Sequence, residues 1–263
     1  MTAVYAVSDI HGHLEKLTAA LHGAGLTDAE GNWSNQDARL WFLGDYFDRG
    51  PDGIGVLTLV RRLVEQASAG TGEVRALLGN HEVLALGMRR FGDTFVPHDG
   101  ISTRSFERSW AMNGGQDRDQ DLLTDDDAAW LADLPLLGLD ADHLLIHSDT
   151  EEYLDWGSTI AEINAAARAD LHSEDITVWW EVWRRMTSRY AFRGPVGPAF
   201  ARELLHRLGG RRIVHGHSIV ADQLGIAPAY LTGPLLYAEG LALGIDGGTF
   251  EGGPCLVVEL LPI

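Results

Sequence analysis

The chain has 263 residues, 45% of them hydrophobic and 22% charged, which suits one large globular domain and excludes disordered, collagen-like and coiled-coil classes. With 20 Lys and Arg against 38 Asp and Glu, the formal net charge of -18 repels nucleic-acid backbones and anionic lipid, so no long nucleic acid is expected as a passively bound partner. The single cysteine, Cys255, excludes an intrachain disulfide and a Cys-rich zinc site.

The start, Met1-Thr2-Ala3-Val4-Tyr5, meets Asp9 and His11 before any long apolar stretch develops, and it does not read as a signal peptide. No segment approaches the ~18 apolar residues of a membrane helix, so the reading predicts a cytoplasmic protein without a membrane partner. Val4 to Val7 reads as a strand, Leu14 to Leu21 as a helix, Leu40 to Leu43 as a strand, Ile54 to Val64 as a helix and Arg75 to Leu78 as a strand. From about 91 to 142 the chain is polar and acidic, with Phe95, Phe106, Trp110 and Trp130 set without a strand period, and reads as a helical insertion over one rim. Leu144 to Ile146 is the next strand. A second helical segment, about 159 to 208, holds the Trp-rich stretch Glu174 to Tyr190, the break Gly194-Pro195 and a helix over Phe200 to Leu208. Strands return at Arg212 to Val214, Leu241 to Ile245 and Cys255 to Leu260. Alternating strands and helices predict the α/β class, and with no repeat or low-complexity linker residues 1–263 read as a single domain.

Three strand ends present the same chemistry. Asp9-Ile10-His11 follows the first strand, and its alternate residues project to one side. Gly44-Asp45-Tyr46-Phe47-Asp48-Arg49-Gly50 follows the second and puts two carboxylates and an arginine on one turn. Gly79-Asn80-His81-Glu82 follows the third. His147 and the pair His215 and His217 end later strands in the same way. Each block alone has a plain structural explanation, but together they place oxygen and imidazole donors at the carboxyl ends of strands, where α/β proteins bind ligands. Such donors suit Mn, Fe or Zn.

These blocks resemble the calcineurin-like metallophosphoesterase superfamily, and within it the bacterial branch of the phosphoprotein phosphatases, which also contains the symmetrical diadenosine tetraphosphatases. Asn113-Gly114-Gly115 and Ile245-Asp246-Gly247-Gly248 echo further blocks of that family. The resemblance implies a four-layer α-β-β-α sandwich of two mixed sheets with a dinuclear metal site at the strand carboxyl ends. Asp9, His11 and Asp45 would hold one divalent ion, and Asp45, Asn80, His147 and His217 the other, with His215 a further candidate. Asp45 would bridge, as two cations ~3.5 to 4 Å apart require a shared anion. The two ions, manganese first and iron or zinc otherwise, would activate a hydroxide. Arg49 and Asn80 would bind phosphoryl oxygens, with Arg193, and behind it Arg189, as a second substrate arginine. His81 would be the general acid, held by Asp48 in orientation and in its charged form. The implied function is a metal-dependent phosphoester hydrolase acting as a phosphoprotein serine/threonine phosphatase. The alternatives are a symmetrical bis(5'-nucleosyl)-tetraphosphatase acting on a nucleotide, a phosphodiesterase, or an inactive metal-binding module.

Other residues read as structural. His13, His22, His98, His143, His172 and His206 are expected at the surface, Trp179, Trp180 and Trp183 in packing, and Asp125 to Asp127 at a helix N-terminus. Cys255 is expected to be inert in an apolar strand.

Overall fold

Side chains alternate across a strand, so a strand apolar at every position must bury both faces. That rule builds this molecule, a computed structural model describing residues 2–70, 72–97 and 104–263. The order opens with β1 (Ala3–Val7), α1 (Leu14–Gly23), β2 (Ala38–Phe42), α2 (Gly53–Ser68), β3 (Glu73–Ala76) and α3 (Asn80–Phe91). Short helices α4 (Phe106–Met112), α5 (Asp117–Leu122) and α6 (Asp125–Ala132) lead to β4 (Leu137–Asp140) and β5 (His143–Ile146). Then come α7 (Ile160–Leu171), α8 (Ile176–Thr187), α9 (Gly197–Leu208), β6 (Arg212–His215), α10 (Val220–Leu224), β7 (Leu235–Tyr237), β8 (Ala242–Gly244) and β9 (Val258–Glu259).

The strands form two mixed sheets, ordered β3-β2-β1-β9 and β4-β5-β6-β8-β7. β1, β2 and β3 are parallel, as are β5, β6 and β8, while β9, β4 and β7 are antiparallel edges. Val4, Ala6, Trp41, Leu145, Val214 and Leu243 pack together between the sheets. Their strand neighbours Val7, Leu40, Phe42, Leu144, Ile213 and Ala242 join the core formed with the helices. The four-layer α-β-β-α arrangement is therefore written in the alternation, and it brings the carboxyl ends of the parallel strands to one rim.

Several expectations shift. β4 lies inside the segment expected to be helical: only Leu139 of its four residues is exposed, so an edge strand this short shows no readable alternation. The expected strand Cys255 to Leu260 contracts to Val258–Glu259, since only Ala6↔Val258 and Tyr5↔Glu259 pair with β1. Cys255 thus lies outside any strand, and burial lifts its thiol to about 12. His143, expected at the surface, is buried at the start of β5, whereas His22, His172 and His206 are exposed. His98 lies outside the described residues. Asp125 to Asp127 do open α6, behind a Thr124 cap whose Oγ1 accepts from the Asp127 amide at 3.0 Å.

Trp41 ties the sheets together. Its indole N–H donates to Asp140 Oδ2 at 2.8 Å, and its ring lies where a Cβ on Gly138 would sit, 2.4 Å away. Trp41→Ala empties the centre of the inner core and removes a donor from a buried carboxylate, so denaturant unfolding should show a loss of about 3 to 5 kcal/mol. A loss within about 0.5 kcal/mol, the scale of a surface substitution, would contradict this packing.

Candidate metal centre

The candidate ligands descend from the strand ends. Asp9 and His11 follow β1, Asp45 follows β2, Asn80 opens α3 after β3, His147 follows β5 and His217 follows β6. Asp9, His11, Asp45, Asp48, Arg49 and His217 all have positive φ, between 46° and 65°. A left-handed backbone is strained for residues other than glycine, and its concentration here marks a site that the surrounding fold holds in place. One close approach requires glycine: a Cβ on Gly216 would lie 2.0 Å from Asp9 Oδ2.

Asp45 is the centre of the arrangement. Its Oδ2 lies 3.6 Å from His11 Nε2 and its Oδ1 lies 3.4 Å from His147 Nε2. Two sets of ligand atoms each fall within 4.8 Å of one another, His11 with Asp45 and His81, and Asp45 with His147 and His217, so Asp45 is shared. Hydrogen bonds aim the rings. His11 Nδ1 donates to the Phe47 carbonyl at 3.1 Å and His147 Nδ1 to the Leu43 carbonyl at 2.8 Å, which turns both Nε2 lone pairs to the centre. His217 is reversed, with Nε2 donating to the Thr187 carbonyl at 3.1 Å, so that in the neutral ring Nδ1 carries the lone pair. Asn80 Oδ1 sits 2.8 Å from His147 Nε2. Imidazole nitrogen, amide oxygen and carboxylate oxygen thus converge as electron-pair donors, a set that fits a divalent cation of intermediate softness. Asp9 stands beside these groups and accepts from the His217 amide at 2.8 Å.

The centre is short of positive charge. Burial pushes His11 and His217 well below the usual imidazole range, and nearby His81 and His147 respectively add to it. Burial also raises Glu82 and Asp246 well above the usual carboxylate range, helped by Asp45 for the first and Asp9 for the second. Neither carboxylate was given a role from its motif. Glu82 accepts from the amides of Asp45, Tyr46 and Gly79 at 2.8 to 2.9 Å, so it fixes the turn that carries Asp45. The spacing of Glu82, three residues after Gly79 at a helix start, is the capping signal that was there to be read.

The phosphoryl-binding candidates assemble around Arg49. Its Nη1 lies 3.2 Å from His11 Nε2, its Nη2 donates to His81 Nε2 at 2.9 Å and its Nε donates to the Asn113 carbonyl at 3.3 Å. Gly114 accepts from the Arg49 amide at 2.7 Å, and a Cβ on Gly114 would meet the Arg49 stem at 2.8 Å, so the Asn113-Gly114-Gly115 block is the arginine's cradle. Phe250, unflagged by any sequence signal, stacks 4.2 Å from the guanidinium. The expected pairing of His81 Nδ1 with Asp48 Oδ2 is present at 2.9 Å. In the metal-free protein burial outweighs the pull of Asp45 and lowers His81 to about 4, with Arg49 adding to the effect.

Two expected roles separate in space. The Arg189 charge bears on His81 and His217. The Arg193 charge instead bears on His215 and Tyr237. His215 has both nitrogens engaged, Nδ1 with the Gly216 carbonyl and Nε2 with the Tyr237 hydroxyl, each at 2.8 Å, which turns it away from the ligand sets.

Burial lifts Asp48 to about 7 as it lowers His81 to about 4. Between those values the folded pair as a whole holds one titrating proton, and below pH 6.5 the unfolded pair also holds one, on the imidazole, so the pair adds little slope to stability against pH. Asp48→Asn should break this balance. His81 alone, depressed in the fold, contributes stability present above pH 6.5 and lost as pH falls towards about 4. Thermal melts of the metal-free protein should show the variant falling behind wild type by about 1 to 3 kcal/mol over that window. Parallel curves would contradict the pairing.

Known proteins resemble this chain in sequence and in fold. Shewanella-like protein phosphatase 2 of Arabidopsis thaliana is 33% identical over 79 residues, 30% of this chain and 20% of that protein. A symmetrical bis(5'-nucleosyl)-tetraphosphatase of Pectobacterium carotovorum is 32% identical over 177 residues, 66% of this chain and 52% of that protein. The chain thus spans about half the length of the tetraphosphatase and a fifth of the plant phosphatase. The crystal structure of a cold-active protein-tyrosine phosphatase of a psychrophilic Shewanella species matches 99% of this chain and 75% of its own, with a TM-score of 0.69 at 22% identity, a likeness of fold. A sequence profile of the calcineurin-like phosphoesterases matches residues 2–221, most of the length, and the chain belongs to the calcineurin-like phosphoesterase family.

Proposed function

We propose that this protein is a metal-dependent phosphoester hydrolase and that its substrate is a phosphoserine or phosphothreonine protein. The observation that carries the reading is the Asp45 carboxylate, whose two oxygens face His11 and His147 separately while Arg49 lies against His11 and His81 on the same rim. Asp9, His11 and Asp45 would hold one divalent ion, and Asp45, Asn80, His147 and His217 a second. Manganese is the proposed metal, with iron or zinc as alternatives. When bound, the ions supply Lewis-acid polarisation of the phosphoryl group and activation of a water nucleophile.

The chain's own residues do the rest. Arg49 presents a planar fork to phosphoryl oxygens, held by Asn113 and Phe250 after His11 and His81 release it. Arg189 adds positive charge on the His217 side. His81 gives a proton to the leaving oxygen. Arg49 is among the causes that keep His81 neutral, so a phosphoryl dianion that engages Arg49 raises the proton affinity of His81 as substrate binds. Asp48, anchored by the Trp110 indole at 3.0 Å, fixes the His81 ring.

The family match over residues 2–221 supports one domain, with an insertion over about 91 to 142 and a second helical segment over about 159 to 208, and the net charge of -18 counts against a long nucleic-acid partner. A cytoplasmic location is part of this proposal, and among the described residues no helix is long and apolar enough to cross a membrane. A second reading, hydrolysis of a dinucleoside tetraphosphate, is supported by the tetraphosphatase match over 177 residues.

The test is phosphate release and product identity on manganese-reconstituted protein given a phosphoserine/phosphothreonine peptide and diadenosine tetraphosphate in parallel. Higher kcat/KM on the peptide, with about a 100-fold loss of kcat in His81→Gln, is the expected result. Two ADP molecules per turnover with little peptide cleavage would establish the second reading instead. No turnover of either with Mn, Fe or Zn would reject the hydrolase.

A further inference from the structure

The Arg49 guanidinium rests on Phe250, and Phe250 belongs to no strand or long helix. It sits on a single 3-10 turn, Thr249–Glu251, in the connection between β8 and β9. Its ring stacks 4.2 Å from the guanidinium and meets the His11 ring edge-on at 5.2 Å. A ring on a loop keeps one position only if the loop itself is fixed.

This loop is closed at its neck and tied at both ends. The Glu251 and Gly253 amides both donate to the Gly248 carbonyl, at 3.0 and 2.9 Å. The two sides of the neck run so close that a Cβ on Gly253 would lie 1.9 Å from the Gly247 carbonyl oxygen. At the entry the Gly248 amide donates to Asp246 Oδ1 at 2.8 Å. At the exit stands Lys16 of α1, the one lysine of the chain. Its ammonium donates to the Thr249 carbonyl at 2.9 Å and to the Gly253 carbonyl at 3.1 Å, 233 and 237 positions away in sequence. The first of these carbonyls directly precedes Phe250, and the second lies past the end of the turn, so one amine spans both flanks of the ring. A compact ammonium with three rotatable donors suits two separate carbonyls, whereas the flat guanidinium fork that the chain uses elsewhere suits paired acceptors.

We propose that Lys16 is a positioning residue for the phosphoryl-binding arginine: it clamps the loop from Thr249 to Gly253, the loop sets the Phe250 ring, and the ring holds the Arg49 fork. The inference rests on the phosphoester-hydrolase reading for what Arg49 binds, whereas the clamp is a property of the metal-free chain. Lys16 lies outside both sets of converging ligand atoms, so it acts through Phe250 alone. Without its charge the loop loses its tie at the exit and the ring leaves the guanidinium. Arg49 then stays with His11 and His81, whose nitrogens it already reaches, and the fork no longer meets substrate.

The test is a double-mutant cycle on manganese-loaded protein with p-nitrophenyl phosphate and a phosphoserine peptide. The variants are Lys16→Met, which keeps the apolar stem, Phe250→Ala, the two combined, and Lys16→Arg as the conservative change. Each of the first two should lose about tenfold in kcat/KM, mostly through KM, because Arg49 grips phosphoryl oxygens in bound substrate as well as in the transition state. The combined variant should lose no more than Phe250→Ala alone, and Lys16→Arg should recover part of the Lys16→Met loss. Wild-type kcat/KM in Lys16→Met, or losses that multiply to about a hundredfold in the combined variant, would overturn the clamp. If the wild type turns over neither substrate, the phosphatase reading fails, and the metal-free protein decides the clamp alone. There, labelling of Arg49 by phenylglyoxal, followed by peptide mass mapping, should run about fivefold faster in Lys16→Met than in wild type. An equal labelling rate overturns the proposal.

Discussion

One carboxylate organises this protein. Asp45 sits at a left-handed turn between two sheets, and its oxygens face His11 on one side and His147 on the other. A buried anion between two lone pairs is stable only if cations enter, and the surroundings sharpen that demand, since Asp9, Glu82 and Asp246 are buried close by while the imidazoles of His11, His81 and His217 are driven towards neutrality. Arg49 stands in hydrogen-bond contact with His11 and His81 of this centre. The constraint explains why the fold spends so many strained residues on one rim: an ion-binding geometry that must hold before any ion arrives cannot rely on the ion to shape it.

The sandwich supplies the rigidity. Parallel strands from both sheets end at the same rim, and short turns carry the candidate ligands directly off them. The elements between the strands then act on the rim from outside. The turn after α4 gives Asn113 and Gly114 to Arg49, Trp110 of α4 anchors Asp48, and the last residue of α8 reaches both Asn80 and His217. Phe250 closes the set from the far end of the chain.

Much of the fold and of where these side chains gather was legible in the sequence because the candidate ligands are local events: a short apolar run, then Asp, His or Asn at its end. Parallel strands with apolar residues on both faces announce themselves, whereas the edge strands β4 and β7, with four and three residues, carry too little pattern to be seen. Charge states were harder to read. A carboxylate beside His81 suggests a charged ring, but burial wins, and burial is a property of the whole fold rather than of the Asp48 to His81 spacing. Arg189 and Arg193 look equivalent on the chain, yet they flank a left-handed residue at Tyr190 and their charges bear on different side chains. Glu82 was hidden for another reason: a buried glutamate that holds three amides serves position rather than chemistry, and only its capping spacing hints at it.

The central claim is that Asp45 is shared between two ions, and metal stoichiometry tests it most directly. Equilibrium dialysis against manganese, with bound metal measured per chain, should give two ions for wild type and at most one, more weakly held, for Asp45→Asn, with circular dichroism confirming that the variant is folded. A folded Asp45→Asn protein that keeps two ions at wild-type affinity would contradict the account.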